Sequence, residues 1–328
     1  MDVQQLEQVV VTLMSTDNTA RRAAEEHFTT SKTNPDNLAH GLLTLVKTSQ
    51  DERVPPFAAL LLRKVISALP DKQQQPAATP NAVPHLSPQA DALLRTELLT
   101  LVDTEQRRNV RIRVSDAVGQ LALKTLGEAA AGWPELFPFM LDATRKANAP
   151  VHEAALSIFN TLSDYMAGSM KSSHATLHGV FGASLQQQQG MAGRGAAVRA
   201  LSSFLMALDG ASERAPFQDL VPAMLQTVAD ALRAGMEDQC QEVLEIFVEI
   251  AETHTKFLKR HLPDCVNGMI AIASNTELID SLRHTALEFL LTGAENAPSL
   301  ARKLPTFCAD TVPVALAMML EVDCDTAE

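Results

Sequence analysis

The sequence predicts an all-α protein, an α-solenoid (superhelix) of repeated helix pairs, and three observations carry that prediction. Helical periodicity recurs along almost the whole chain, in segments of about 12 to 20 residues with short breaks between them. Only 4% of the 328 residues are aromatic, with 12 Phe, one Trp and one Tyr. That is thin for a β-sandwich or barrel, whereas the helix formers Ala, Leu, Gln and Glu are abundant. The second helices begin near residues 18, 52, 105, 151, 192, 237 and 277, a spacing of about 34 to 53 residues. That spacing surrounds the HEAT/armadillo period and leaves room for about eight HEAT-type helix-pair repeats.

Taken in order, the pairs are expected at 2–14 with 18–31, 36–49 with 52–68, and 88–103 with 105–126. They continue at 134–147 with 151–167, 173–188 with 192–208, 214–234 with 237–253, and 256–273 with 277–294. A lone helix near 298–321 follows. The breaks have local causes. Asp17 or Asn18 is placed to cap the second helix, and Ser87-Pro88 sets a capping hydroxyl before a first-turn proline. Pro134 and Pro150 are suited to helix starts for the same reason, and Pro55 and Pro56 fall in a first turn where proline is tolerated. Residues 70–86, with Pro70, Pro76, Pro80 and Pro84 around Gln73 to Gln75, read as an irregular loop inside one continuous array over 1–328. Gln186 to Gly195 is a second soft spot. No Gly-rich fingerprint follows a predicted strand and no βαβ alternation is visible, which argues against a doubly wound enzyme fold.

Composition narrows the function. With 46% hydrophobic and 20% charged residues there is ample apolar material for a core, and global disorder is excluded. Lys and Arg number 27 against 39 Asp and Glu, a net charge of −12. Such a surface repels nucleic acid and anionic lipid, so neither is expected as a direct partner, and it attracts basic ones. Cys240, Cys265, Cys308 and Cys324 are scattered without CxxC spacing, as expected of a reducing compartment. The start, MDVQQLEQ, does not read as a signal peptide, and the apolar run Val314 to Leu320 is too short to span a bilayer. A soluble intracellular protein is expected.

Catalytic chemistry finds little support. His174 and His178 are spaced i, i+4, as are His261 and Cys265, but neither pair has the third ligand a zinc site requires. There is no GxSxG elbow, and the cysteines sit among apolar neighbours as small core residues would. No enzyme activity, metal or cofactor is therefore expected.

Two charged patterns are more informative. Arg107, Arg108, Arg111 and Arg113 open the second helix of repeat three, where they suit a phosphate or an acidic protein patch, with a solvated helix face as the competing reading. Arg21 and Arg22 with Glu25 and Glu26 form two i, i+4 pairs, most simply helix support. Asp238, Glu242, Glu245, Glu249 and Glu252, at spacings of 4, 3, 4 and 3, fall within about 80° on the helical wheel. Val243, Phe247, Ile250 and Ala251 lie opposite as the packing face. Five like charges in a stripe repel one another, and a basic partner would relieve them.

These residues resemble the importin-β (karyopherin-β) nuclear transport receptors, and within them the importin-5 type. NTARRAAEEHF is similar to the family's amino-terminal signature, and FAALLLRKVIS (Phe57 to Ser67) to its second-repeat helix. GWPELFPFML around Trp133 resembles the opening of a first helix in the fourth repeat, and VEIAETHTKFLKRHL (Val248 to Leu262) resembles the importin-5 type in particular. Receptors of this family run to roughly twenty repeats, so the chain is expected to be the amino-terminal portion of a larger receptor, ending where importin-5-type proteins enter an acidic insertion.

The resemblance implies nuclear import by a monomer that shuttles between cytoplasm and nucleus, binds cargo and releases it when GTP-bound Ran binds. It places Ran on the concave second helices of the first repeats, with Glu26, Arg63, Arg108 and Arg111 as candidates. It places Phe-Gly nucleoporins in slots between first helices, with Phe181, Leu185, Phe217, Leu220 and Met224 as candidates. Import signals are typically basic, which makes Asp238, Glu242, Glu245, Glu249 and Glu252 the cargo candidates. The alternative is a helical-repeat scaffold subunit of another complex, such as a phosphatase, which period and charge alone do not separate from a receptor.

Overall fold

Capping and periodicity in the sequence become regular helices. The computed structural model describes residues 2–70, 84–126, 132–146, 148–186 and 190–322, and these contain no strand. They form two compact units, residues 1–165 and 166–328.

The first unit holds four helix pairs. They are α1 (Val3–Leu13) with α2 (Asn18–Ser31), α3 (Pro35–Thr48) with α4 (Val54–Ala68), α5 (Pro88–Thr104) with α6 (Arg108–Leu126), and α7 (Leu136–Ala143) with α8 (Ala149–Thr161). Each start has a visible cause. Asp2 and Gln5 form a reciprocal capping box on α1, and the Asp17 carboxylate accepts the Thr19 N–H at 2.8 Å to cap α2. Ser87 Oγ accepts the Ala90 N–H at 3.2 Å, with Pro88 as first residue of α5, as the sequence predicts. Asn148 does the same for α8, with Pro150 in the first turn. Of the irregular stretch expected at 70–86, residues 71–83 lie outside the described residues.

Second helices pack on one another along the unit, α4 on α6 and α6 on α8, while each also packs on its own first helix. Leu42, Leu45, Leu62, Ile66, Leu98, Trp133 and Phe159 are fully buried between them. Each such side chain contributes about 1.5–3 kcal/mol by leaving water. The α6–α8 approach is close enough that a Cβ at Gly119 would lie 2.7 Å from Thr161 Cγ2, so glycine is required there.

α9 (Ser163–Ser169) contains the boundary between the units. The second unit contains α10 (His174–Ser184) with α11 (Gly190–Ala207), the short α12 (Ala211–Arg214), α13 (Val221–Arg233) with α14 (Glu237–His254), and α15 (Leu262–Ala273) with α16 (Asp280–Asn296). α17 (Pro298–Ala301) and α18 (Phe307–Val322) follow, so the single helix expected at 298–321 is two. Gly235, at φ +67°, ends α13, and the Met236 N–H returns to the Ala231 carbonyl at 2.9 Å. The core is aromatic: Phe204 meets Phe217 at 5.4 Å and Phe181 at 5.9 Å, and Phe247 meets Phe289 at 6.2 Å between ring centroids. Again second helices stack, α11 on α14 and α14 on α16. Helix pairs stacked on their neighbours are the HEAT-type architecture the sequence predicts.

Candidate functional site

The second helices present polar faces in each unit. In the first unit, α4 and α6 bring Arg63 to 3.9 Å and Arg113 to 3.7 Å from the same carboxylate, Asp116. Burial pushes the Asp116 carboxyl above its ordinary value, against the pull of those two cations. One turn on, Ser67 Oγ donates to Gln120 Oε1 at 3.0 Å. On the next helix, Glu153 of α8 is buried at 6% exposure and receives Arg108 Nε at 3.0 Å together with Arg108 Nη2. Arg107 donates to both oxygens of Glu105 and holds that carboxyl below its usual range. Of the basic cluster read from the sequence, Arg108 ties α6 to α8, while Arg107 pairs locally with Glu105 and Arg113 with Asp116 on its own helix.

Of the four residues expected on the open second-helix faces, Glu26 on α2 and Arg108 are exposed and Arg63 is partly exposed. Arg111 is neither. It is 4% exposed, and its guanidinium turns inward to donate to the Glu105 carbonyl at the end of α5. Burial lowers its pKa, and the charges of Glu153 and Glu105 offset that cost. The expectation that Arg111 lines the open face is corrected; it closes the α5–α6 turn.

In the second unit, Asp238, Glu242, Glu245, Glu249 and Glu252 are all exposed along α14, and Cys240, Val243, Phe247, Ile250 and Ala251 are buried opposite. Arg199 of α11 pairs with Glu242, and Gln241 Nε2 donates to Glu245 at 2.9 Å and to Thr285 Oγ1 of α16 at 2.7 Å. By contrast, another ion pair of this unit is sunk in the fold. Arg194 of α11, nearly fully buried, meets Asp230 of α13 at 2.6 Å. Burial works to raise the Asp230 carboxyl, but hydrogen bonds from Arg194 and Gln226 outweigh it and hold the pKa low.

Grooves open between first helices, and two of them are the most informative. Between α5 and α7 lies one of about 650 Å³, walled by Asp91, Arg95, Asp103, Glu135 and Lys146 around Trp133. Arg95 lies over the Trp133 ring at 5.6 Å from its centroid. Between α13 and α15 lies one of about 520 Å³ that is mainly apolar, lined by Pro222, Leu225, Ala229, Leu232, Gly268 and Ala271.

The five apolar candidates are displaced from this second groove. Phe181, Leu185, Phe217, Leu220 and Met224 are all buried, and the expectation that some reach an open slot is corrected: they form core between helices. The residues that do reach the slot were missed. On α13, Pro222, Leu225, Ala229 and Leu232 repeat at spacings of 3, 4 and 3 and make a second apolar stripe about 100° from the core stripe. That doubled stripe was the available signal.

Two of the remaining polar candidates have side-chain neighbours in the fold. His178 lies 2.8 Å from Asp219, and His174 packs edge-on against Phe204. Cys240 and Cys265 are buried, which pushes both thiols up to about 12 and leaves them protonated at neutral pH. Among the described residues no helix is long and apolar enough to cross a membrane.

Comparisons with known proteins bear on the family and the fold. A family model described as "IPO5-like, TPR repeats" matches residues 106–268, and one described as "Importin repeat" matches 275–328. The probable importin-5 homolog of Dictyostelium discoideum is 24% identical over 305 residues, 92% of this chain and 28% of its own length. Importin subunit beta-3 of Saccharomyces cerevisiae is 25% identical over 321 residues, 97% of this chain and 29% of its own. The crystal structure of Kap121p superposes with a TM-score of 0.78 at 25% identity, covering 98% of this chain and 29% of Kap121p. Kap121p bound to RanGTP gives a TM-score of 0.79 at 24% identity, covering 98% and 29%. The chain thus spans under a third of the length of the relatives it matches.

Proposed function

The chain belongs to the importin-β (karyopherin-β) family, of the importin-5 type, and from that premise we propose that it serves nuclear import as the amino-terminal portion of a receptor. The observation that carries the reading is the α14 stripe, five exposed carboxylates on a second-helix face of which Glu242 alone meets a cation among the ion pairs of the described residues. A field of that sign draws Lys- and Arg-rich segments, the chemistry of a basic import signal.

In this reading the first unit takes GTP-bound Ran on the faces of α2, α4 and α6, around Glu26, Arg63 and Arg108. The groove between α13 and α15 takes the Phe side chains of nucleoporins, since a shallow apolar slot rewards burial of one ring without demanding a fixed backbone. Action is by binding and release, with passage between cytoplasm and nucleus. Kap121p has been crystallised with RanGTP, with Nup53p and with Pho4p, which supports partners of these three kinds.

The test is capture of purified Ran by the immobilised chain. Ran locked in the GTP form is expected to be retained and the GDP form to wash through. Equal retention of both, or of neither, would remove Ran from the function of this chain and leave a helical scaffold as the better description.

A further inference from the structure

The second unit keeps a group of its cations apart from its acids. Residues 253–263 and 296–309, which join α14 to α15 and α16 to α18, contain Lys256, Lys259, Arg260, Arg302 and Lys303 and no carboxylate, in a chain of 39 Asp and Glu against 27 Lys and Arg. All five are exposed. None of them meets an acid among the ion pairs and hydrogen bonds of the described residues. The pattern also repeats. Leu258-Lys259-Arg260-His261-Leu262-Pro263 aligns without a gap with Leu300-Ala301-Arg302-Lys303-Leu304-Pro305, one helix pair later.

That repetition places the two arginines on one edge. Leu258 and Leu262 are buried, Leu300 and Leu304 are half-buried, and the arginine between each pair is exposed. The first helices that follow, α15 and α18, pack on each other. Packed helix axes lie about 8–10 Å apart, which sets Arg260 and Arg302 about one such step apart. The two turns are neighbours, since residues 254–257 and 296–297 line one hollow of about 370 Å³ together with Arg214. Glu252, the last acid of the α14 stripe, is the one carboxylate of that lining. One helix pair earlier the position matching Arg260 is Asp219, which His178 meets at 2.8 Å, so the basic strip begins at the Thr255–Arg260 turn.

We infer that this edge is a docking strip for an acidic segment of a partner protein, rich in Asp and Glu and unfolded before it binds. It is separate from the faces assigned above to Ran, nucleoporins and basic cargo. Unfolded chains populate the polyproline II form, with three residues per turn and a rise of about 3.1 Å, so side chains three apart share a side at about 9 Å. That is the step between Arg260 and Arg302, and the flexible Lys256, Lys259 and Lys303 close on the carboxylates between. A short acidic segment fits the strip better than a nucleic acid or a membrane does. The net charge of −12 and the carboxylates of α14 in the same unit repel any polyanion that runs beyond five cations. Phe257 and Phe307, the aromatics of the two connections, are buried, so bases find no ring to stack on and lipid no aromatic anchor.

Fluorescence anisotropy of a labelled peptide of four Asp-Glu repeats, titrated with the full chain, tests the inference. Binding is expected at about 0.05 M salt and should fall steeply by about 0.5 M. Arg260→Glu/Arg302→Glu should weaken it by about tenfold at the lower salt with helix content unchanged, and Arg260→Gln/Arg302→Gln should give a smaller loss in the same direction. Arg21→Glu/Arg22→Glu makes the same charge change on α2 of the first unit and should alter binding by less than about twofold. Equal losses in the two Glu pairs would reduce the effect to net charge and overturn the inference. So would a chain that fails to bind the peptide at low salt. An oligothymidylate of about eight phosphates that binds as tightly as the peptide, and is weakened by the same Arg260 and Arg302 substitutions, would make the strip a nucleic-acid site and overturn it too.

Discussion

The second-helix faces of the two units use charge in opposite ways. On α4, α6 and α8, Arg63 and Arg113 share Asp116, and Arg108 reaches across to Glu153, so cations and acids on successive helices are interlocked. On α14, five acids stand exposed in a row, and Arg199 bridges to Glu242. The first arrangement spends its charge on helix–helix register and leaves a weak outward field. The second leaves carboxylates in water, where each contributes little to stability but together they set the sign of a surface. A charged residue on a second helix is thus a support or an open surface charge according to whether the adjacent helix supplies its counter-ion.

The sharpest way to break that comparison is to remove a single acid from each face. Glu153→Gln leaves Arg108 and the buried Arg111 short of negative charge. It should cost about 2 kcal/mol in urea denaturation, less than the 3–5 kcal/mol of a fully buried pair because Arg108 is largely solvated. Glu249→Gln on α14 should stay within about 0.5 kcal/mol of the parent. Equal losses at both positions would erase the distinction between the two faces.

A second experiment reads recognition instead of stability. Replacing Glu242, Glu245 and Glu249 by Gln should weaken binding of a Lys-rich peptide by roughly tenfold at low salt, since each solvated pair contributes about 0–1 kcal/mol and three are lost. The difference should shrink as salt rises, because the Debye length falls from about 10 Å at 0.1 M to about 3 Å at 1 M. Titration at the two salt concentrations checks both statements. An unchanged affinity and salt slope would make the stripe a solvated helix face and nothing more.

The smallest expected effect sharpens the role of the one bridge on the acidic side. Arg199 competes with any incoming cation for Glu242, and Arg199→Ala should release that carboxylate and tighten the same peptide by about twofold. Weaker binding in Arg199→Ala would instead make the arginine part of the binding surface.

Much of this architecture is written in the chain. Helix bounds follow from periodicity and caps that act within a few residues, so Asp17, Ser87-Pro88 and Pro150 mark starts that tertiary contacts do not shift. The α14 stripe is equally local: its five acids and the buried Val243, Phe247 and Ile250 occupy opposite sides of one regular helix, with a single apolar side to choose. α13 carries two apolar stripes, and its sequence does not say which one meets α14 and which opens toward α15. Rotation about the helix axis is set by the neighbours it packs on, so Met224 went to the core and Leu225 to the groove. The arginines were ambiguous for a related reason. A long side chain at a polar position has the reach to turn inward, and only the Glu105 carbonyl at the end of α5 decided that Arg111 would do so while Arg108, three residues earlier, faces outward. Periodicity fixes phase within a helix, whereas the contents of a face depend on which other helices come to lie against it.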